Sequence, residues 1–303
     1  MQRRKFIEHV SWTGLGIVWA VNSNGLLTAC QVGESNAQKS STAAPFSFVQ
    51  ISDTHIGFNK PANDHVTDTL QKTIDAINAL PTPPAFIMHT GDISHLSKPE
   101  EFDRAKQLLG QLKVPLFTVP GEHDTIGDRG KAYEEAFPRK DVREGLQVWD
   151  QAGIHFVSLT NVLEFGETGT GKLGQAQLDL LAKDLAAQKQ DTPLVVFSHL
   201  PLYDLYPKWG WATADSAKLL SLLSRFASVT VLTGHIHQVI EHTEGNIRFH
   251  TAAATAFPLP APGNGEQPTP IKLPEKNLLA VLGFRTVEVI AGKETKVDQH
   301  PLK

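Results

Sequence analysis

Five short apolar runs in this chain each end in a cluster of acidic residues or histidines, and that pattern constrains the fold more than any other feature. Phe46 to Ile51 leads into Asp53-Thr54-His55, Ala85 to Met88 into Gly91-Asp92, and Pro115 to Val119 into Gly121-Glu122-His123-Asp124. Leu194 to Phe197 leads into His199, and Val229 to Leu232 into Gly234-His235-Ile236-His237. Between the runs lie stretches of helical period. Over 64–80, Val66, Leu70, Ile74 and Ile77 recur at spacings of three and four, with Pro81 just beyond. Similar patterns cover 99–112, 175–188 and 213–226. Strands alternating with helices predict βαβ units and an α/β protein. Further strands are predicted over 154–159, 238–242, 247–250 and 285–290, in a second sheet.

In open α/β sheets, ligands bind outside the carboxyl ends of the strands. The chain thus delivers Asp53, Asp92, Glu122 and five histidines (His55, His123, His199, His235, His237) to one edge. Oxygen and imidazole donors without thiolate suit Mn, Fe or Zn. In extended backbone, residues i and i+2 point the same way, so Asp53 with His55, and His235 with His237, are expected to converge on one cavity. Gly91, Gly121 and Gly234 are expected to let the backbone turn tightly where their strands end.

As an ordered set, D-x-H, G-D, G-x-H-D, H and G-H-x-H, running from Asp53 to His237, resembles the signature of the calcineurin-like metallophosphoesterases. The resemblance implies an α/β fold of two facing mixed β-sheets flanked by helices, a four-layer α/β/β/α sandwich. It implies a dinuclear metal centre of Fe, Mn or Zn, with Asp53, His55 and His237 on the first ion and Asp92 bridging. His199 and His235 would hold the second ion, together with position 122. His123 would contact the phosphate or protonate the leaving oxygen, and a metal-bridging hydroxide would be the nucleophile. Asp124 either orients His123 or caps the turn that follows. The layout of Ile51-Ser-Asp-Thr-His55 and Gly234-His-Ile-His-Gln238 is similar to the bacterial cyclic-nucleotide phosphodiesterase branch. The expected activity is hydrolysis of a small phosphate ester, with a phosphodiester such as a cyclic nucleotide favoured. The alternatives are a phosphomonoesterase or nucleotidase, a phospholipid-headgroup phosphodiesterase, or a non-catalytic binding module on the same fold.

One position departs from the signature: Glu122 stands where the family has asparagine. A coordinating glutamate adds a negative charge, which a mixed Fe(III)–M(II) pair would offset. Otherwise the site works best at higher pH, or Glu122 swings away from the metals.

The net charge of -4 and pI near 6.3 give no basic footprint for nucleic acid as the main partner. The 303 residues, 41% of them hydrophobic, can form a core large enough to stand without disulfides. The single cysteine, Cys30, sits in a leader-like segment. Arg3, Arg4 and Lys5 precede a stretch from His9 to Gly33 without Asp, Glu, Lys or Arg, whose apolar part (Trp12 to Ala20) is too short to span a bilayer comfortably. Arg3-Arg4 resembles a twin-arginine export signal, and Leu27-Thr-Ala-Cys30 resembles a lipobox. The expected organisation is a signal peptide over 1–29, a flexible tether over 30–44 and a metallophosphoesterase domain over 45–303. The protein is expected to be exported and anchored through lipidated Cys30, facing the periplasm or cell exterior.

Other features carry paired readings. His89, His155, His242 and His250 read as sheet residues, and His95, just after Gly91-Asp92, either reaches the site or, the favoured reading, makes a loop hydrogen bond. The stretch from Leu200 to Trp211, with Tyr203, Tyr206, Trp209 and Trp211, either lines a leaving-group pocket or packs as a connecting loop. The proline-rich segment from Phe257 to Pro274 either covers the site or stands as a surface arm.

Overall fold

The computed structural model describes residues 17–21, 27–31, 46–166, 168–290 and 294–302. The chain divides after Ala43. On the N-terminal side, Ile17–Val21 (β1) pairs antiparallel with Leu27–Gln31 (β2), placing Val18 opposite Cys30. The expected signal peptide and tether otherwise fall outside the described residues.

From Ala44 the chain runs through Phe46–Ile51 (β3), Val66–Asn78 (α1), Ile87–His89 (β4), Pro99–Leu109 (α2), Leu116–Thr118 (β5) and Lys131–Ala136 (α3). There follow Leu146–Gln151 (β6), Ile154–Leu159 (β7), Gln175–Ala186 (α4), Leu194–Phe197 (β8), Ser216–Leu223 (α5) and Val229–Thr233 (β9). Ile240–Glu244 (β10), Ile247–Thr251 (β11), Glu275–Val281 (α6), Gly283–Val289 (β12) and Lys296–Pro301 (β13) complete it. One sheet has the order β13-β12-β3-β4-β5, with β3, β4 and β5 parallel. The other has the order β10-β11-β9-β8-β7-β6, with β11, β9, β8 and β7 parallel.

The five motif-bearing strands are therefore split between the sheets, three in one and two in the other. The extra strands do not form a sheet of their own: β7, β10 and β11 join β8 and β9, and β12 joins β3. Apolar period marks a strand but not its partner, and β8 and β9 read like β3 and β4 because all four are buried on both faces.

Alternation along each strand builds the layers. Val49 and Ile51 of β3 meet Leu70 and Ile74 of α1 and Phe102 and Leu108 of α2. On the opposite side, Val196 of β8 and Val231 of β9 meet Leu181 and Leu185 of α4 and Leu219 of α5. Between the sheets, Phe48, Phe86 and Met88 pack on Phe156, Val195, Phe197 and Leu232. Phe48 and Phe86 stack at 4.8 Å between ring centroids, and Phe48 meets Phe197 edge-on at 5.7 Å. Gln50 crosses the same layer and donates from Nε2 to the carbonyl of Thr233, 3.2 Å away. The result is a helix–sheet–sheet–helix sandwich. Helix α2 begins with Pro99 at its first turn, followed by Glu100 and Glu101, and stops at Leu109 because Gly110 is a poor helix former. It is thus shorter than the 99–112 pattern.

Candidate metal centre

The ends of β3, β4, β5, β8 and β9 meet at one place. Asp53, His55 and His237 offer donor atoms within 4.8 Å of one another, and Asp92, Glu122, His199 and His235 do the same. Asp92 lies between the groups: its Oδ2 is 3.5 Å from His55 Nε2 and 3.4 Å from His199 Nε2. Each group draws on both sheets, with the carboxylates and His55 from the β3–β5 side and His199, His235 and His237 from the β8–β9 side.

Convergence is not achieved by extended alternation. Asp53, His55, Asp92, His235 and His237 all have positive φ, between 41° and 67°. Side chains with a Cβ adopt this region at a cost, and such residues persist where the surrounding structure enforces them. Here the enforcing bonds are visible: the backbone N–H groups of Asp53 and His55 donate to the carbonyls of Gly91 and Asp92, and that of His235 donates to the Asp53 carboxylate. The two β-ends are cross-tied through the loops that bear the donors. Gly91 has φ of 99°, as a tight turn requires. Gly121 is extended, and it is needed for another reason: a Cβ there would sit 2.0 Å from Asp92 Oδ1.

Backbone carbonyls fix the imidazoles. His199 Nδ1 faces Thr90 O at 2.7 Å, and His237 Nδ1 faces Phe257 O at 2.6 Å, so each ring donates from Nδ1 and turns Nε2 inward as an acceptor. His237 Nε2 lies 3.2 Å from His55 Nε2 and 3.3 Å from Asp53 Oδ1. Glu122 does not swing away. Its Oε1 lies 2.8 Å from His235 Nδ1 and its Oε2 lies 2.8 Å from His199 Nε2. Yet Glu122 Oε2 and His199 Nε2 are buried without a hydrogen-bond partner. Orphaned buried polar atoms are rare. Acceptors crowded together with few donors among them fit a pair of cations, which this donor set would hold.

His123 stands beside the donors. Its backbone N–H donates to Asp92 Oδ1 at 2.9 Å, and its ring Nδ1 faces the carbonyl of His95 at 2.6 Å, which leaves Nε2 for the cleft. Burial pushes this imidazole down, and the carboxylates of Asp92 and Glu122 outweigh that and hold it above its ordinary range. Asp124 does not orient His123. Its two oxygens accept from the backbone N–H groups of Ile93, Ser94 and Gly121 and from Ser94 Oγ. It braces the turns under Asp92 and Glu122, and burial raises its pKa to about 6.

Of the two readings for His95, the structure takes the less favoured: its ring lies in the site. It stacks on His123 at 4.9 Å and 15°, and its Nδ1 is 3.3 Å from His55 Nδ1. Its position two residues after the Asp92–Ile93 pair was the available signal, but the fold of that loop was not readable locally. His89 is the sheet residue expected. Its Nδ1 accepts from Gly91 N–H, so Nε2–H donates to Thr54 Oγ1, which in turn donates to Ile93 O.

A cleft of about 270 Å³ opens over the donors. Its floor is His55, Asp92, Glu122, His123, His235 and His237. Trp209 and Trp211 form one wall, so that half of the aromatic loop reaches the site, while Tyr203 packs away on Phe249. Phe58 and Phe257, stacked at 4.1 Å, form part of the other wall, next to His95 and Lys60. The proline-rich arm contributes Leu259, Pro268 and Pro270.

Comparison with known proteins agrees with this geometry. Residues 46–239 match the family model described as calcineurin-like phosphoesterase. A probable cyclic nucleotide phosphodiesterase of Rhodopseudomonas palustris is 28% identical, over 61% of this chain and 71% of its own length. A probable glycerophosphodiester phosphodiesterase of Arcobacter nitrofigilis is 27% identical, over 68% of this chain and 77% of its own. In fold, the chain resembles the crystal structure of a dimetal phosphatase from Danio rerio, with a TM-score of 0.61 at 15% identity, over 85% of this chain and 96% of that one. With the match covering well over half of its length, the chain belongs to the calcineurin-like phosphoesterases, a family of hydrolases that depend on a dinuclear metal centre.

Proposed function

We propose that the protein is a metal-dependent phosphodiesterase acting on a small diester. The observation that carries this reading is the paired donor clusters sharing Asp92, with His123 beside them and its Nδ1 already occupied. When bound, two metal ions supply a nucleophile derived from water at neutral pH and positive charge against the phosphate. The chain does the rest. Asp92 accepts the backbone N–H of His123 and so fixes that loop beside the donors, and His123 carries a proton at Nε2 for the departing alkoxide. Among the described residues lining the cleft, Lys60 is the one Lys or Arg. Beside the metals, one cationic side chain suits the one negative charge of a diester better than the two of a monoester, and relatives named as phosphodiesterases agree with that preference.

Chromogenic diester and monoester assays with added Mn²⁺ test the reading. The diester is expected to turn over faster. His123→Ala should lower kcat by about 10²-fold or more while metal content stays near wild type, whereas Asp92→Ala should lose metal. A protein that binds metal and hydrolyses neither ester would instead be a binding module.

Two finer readings accompany this one. Glu122 favours a mixed Fe(III)–M(II) pair, because the site then carries three carboxylates. The N-terminal segment favours export and lipid anchoring through Cys30, on the strength of Arg3-Arg4 and Leu27-Thr-Ala-Cys30. Cys30→Ser should release soluble protein or leave an uncleaved precursor, and fractionation identical to wild type would end that idea.

A further inference from the structure

The walls of the cleft differ in kind from its floor. Above the donors, the lining is Trp209, Trp211, Phe257, Leu259, Pro268 and Pro270, and among the wall residues Lys60 and His95 supply the polar groups. The arm that brings Leu259, Pro268 and Pro270 is held at several points. Its base is tied to the metal-binding loop, where His237 Nδ1 donates to Phe257 O and Gln238 Nε2 donates to Leu259 O. It closes on itself through Ile271 N–H and Pro258 O, 3.0 Å apart. Its tip is tied to the opposite wall, where Trp209 Nε1 donates to Glu266 O at 3.0 Å. Tyr206 and Trp211 both stand edge-on to Trp209, at 5.0 and 5.1 Å.

These contacts set the indole in place before any ligand arrives. They also occupy its one hydrogen-bond donor, so that Trp209 offers a bound molecule only its ring. A polyol leaving group would give up water here and find few partners, at a cost in binding. A flat ring loses little and gains stacking area.

We infer that Trp209 and the arm from Phe257 to Ile271 form a leaving-group subsite for phosphodiesters whose alcohol carries a flat, uncharged aromatic ring, and that Trp209 is the residue that selects for it. The inference rests on the phosphodiesterase reading and goes further, since that reading is indifferent to the alcohol.

The test uses the full metal-loaded chain, with adenosine 3′,5′-cyclic phosphate as the aromatic probe and glycerophosphoethanolamine as the polyol probe. Comparing each variant with wild type on one ester at a time cancels the intrinsic reactivity of that ester. Trp209→Ala should lower kcat/KM on the cyclic nucleotide by about 10-fold, the scale of one base stacked on one aromatic face, and leave the polyol ester within about 2-fold. Trp209→Phe keeps a ring but loses the bond to Glu266 O, and it should retain most activity on the cyclic nucleotide. Adenosine alone, which has no phosphate to hydrolyse, should bind wild type in calorimetry and bind Trp209→Ala at least about 10-fold more weakly. Equal losses on both esters, in either variant, would mean that Trp209 merely holds the arm, and the inference fails. It also fails if adenosine binds both proteins alike. If neither ester turns over, the phosphodiesterase reading fails separately, and adenosine binding still decides the subsite.

Discussion

Glu122 is the acidic residue of Gly121-Glu122-His123-Asp124, and the structure brings it into the donor cluster instead of turning it out. Between His199 and His235 it makes Asp53 and Asp92 into a set of three carboxylates. With two divalent ions that leaves one net positive charge, where a neutral amide would leave two. Less charge binds an anionic phosphate less strongly and acidifies bound water less. Glu122→Asn should therefore move the pH optimum of kcat downward and shift the ratio of trivalent to divalent metal found by elemental analysis. An unchanged pH profile together with unchanged occupancy would make Glu122 a bystander. The identity of the donors was legible in the sequence because each follows directly on an apolar run, in a fixed order. The role of Asp124 was not. A carboxylate next to a histidine suggests a partner, yet its oxygens are used by the Ile93, Ser94 and Gly121 amides, and the carbonyl of His95 does the orienting.

At the scale of elements, the loops after the strands carry the strain and the strands supply the frame. Three loops put five donor residues at positive φ, and hydrogen bonds between neighbouring loops hold that arrangement. Close approach is part of the same arrangement. Gly121→Ala would drive a methyl group into Asp92, with its backbone N only 2.3 Å from the new Cβ, so neither side can yield by a rotamer change alone. The variant should lose metal affinity at the cluster containing Asp92 and Glu122 and should melt at lower temperature. Full metal occupancy at wild-type free-metal concentration would show that the loop repacks. The strands and long helices were readable because their apolar period is strong. β6 and β13 were missed because half-exposed strands such as Leu146–Gln151 and Lys296–Pro301 mix polar residues into both faces. The short helices α3 and α6 are too brief for a period to declare itself. The arm's place over the cleft depends on Trp209 meeting Glu266 across a long sequence separation, which no local pattern encodes.

Across the molecule, acid stability depends on a histidine that the chemistry does not use. His89 is buried in β4, and burial lowers its pKa from 6.5 to about 3. It must stay neutral, since its Nδ1 accepts from Gly91 and a second proton would break that bond. The folded pKa lies below the unfolded one, so the contribution is whole above about pH 6.5 and is lost progressively as the pH falls toward 3. With metal removed by chelator, His89→Gln should flatten that part of the stability profile measured by chemical denaturation. An acid limb identical to wild type would place the loss elsewhere.

The division of the donors between the two sheets has a mechanical meaning. Asp53 and His55 reach one ion position from one sheet and His237 from the other, and Asp92 and Glu122 face His199 and His235 in the same way. Ions bound there act as rivets through the open end of the aromatic layer of Phe48, Phe156 and Phe197. By mass action, a ligand present at a hundred times its dissociation constant adds about 2.7 kcal/mol to the folded state. Chelation should thus lower Tm and speed amide exchange in β3 and β9 together, since releasing the ions frees both plates at once; a Tm indifferent to chelator would mean that the sandwich is clamped by its aromatic filling alone.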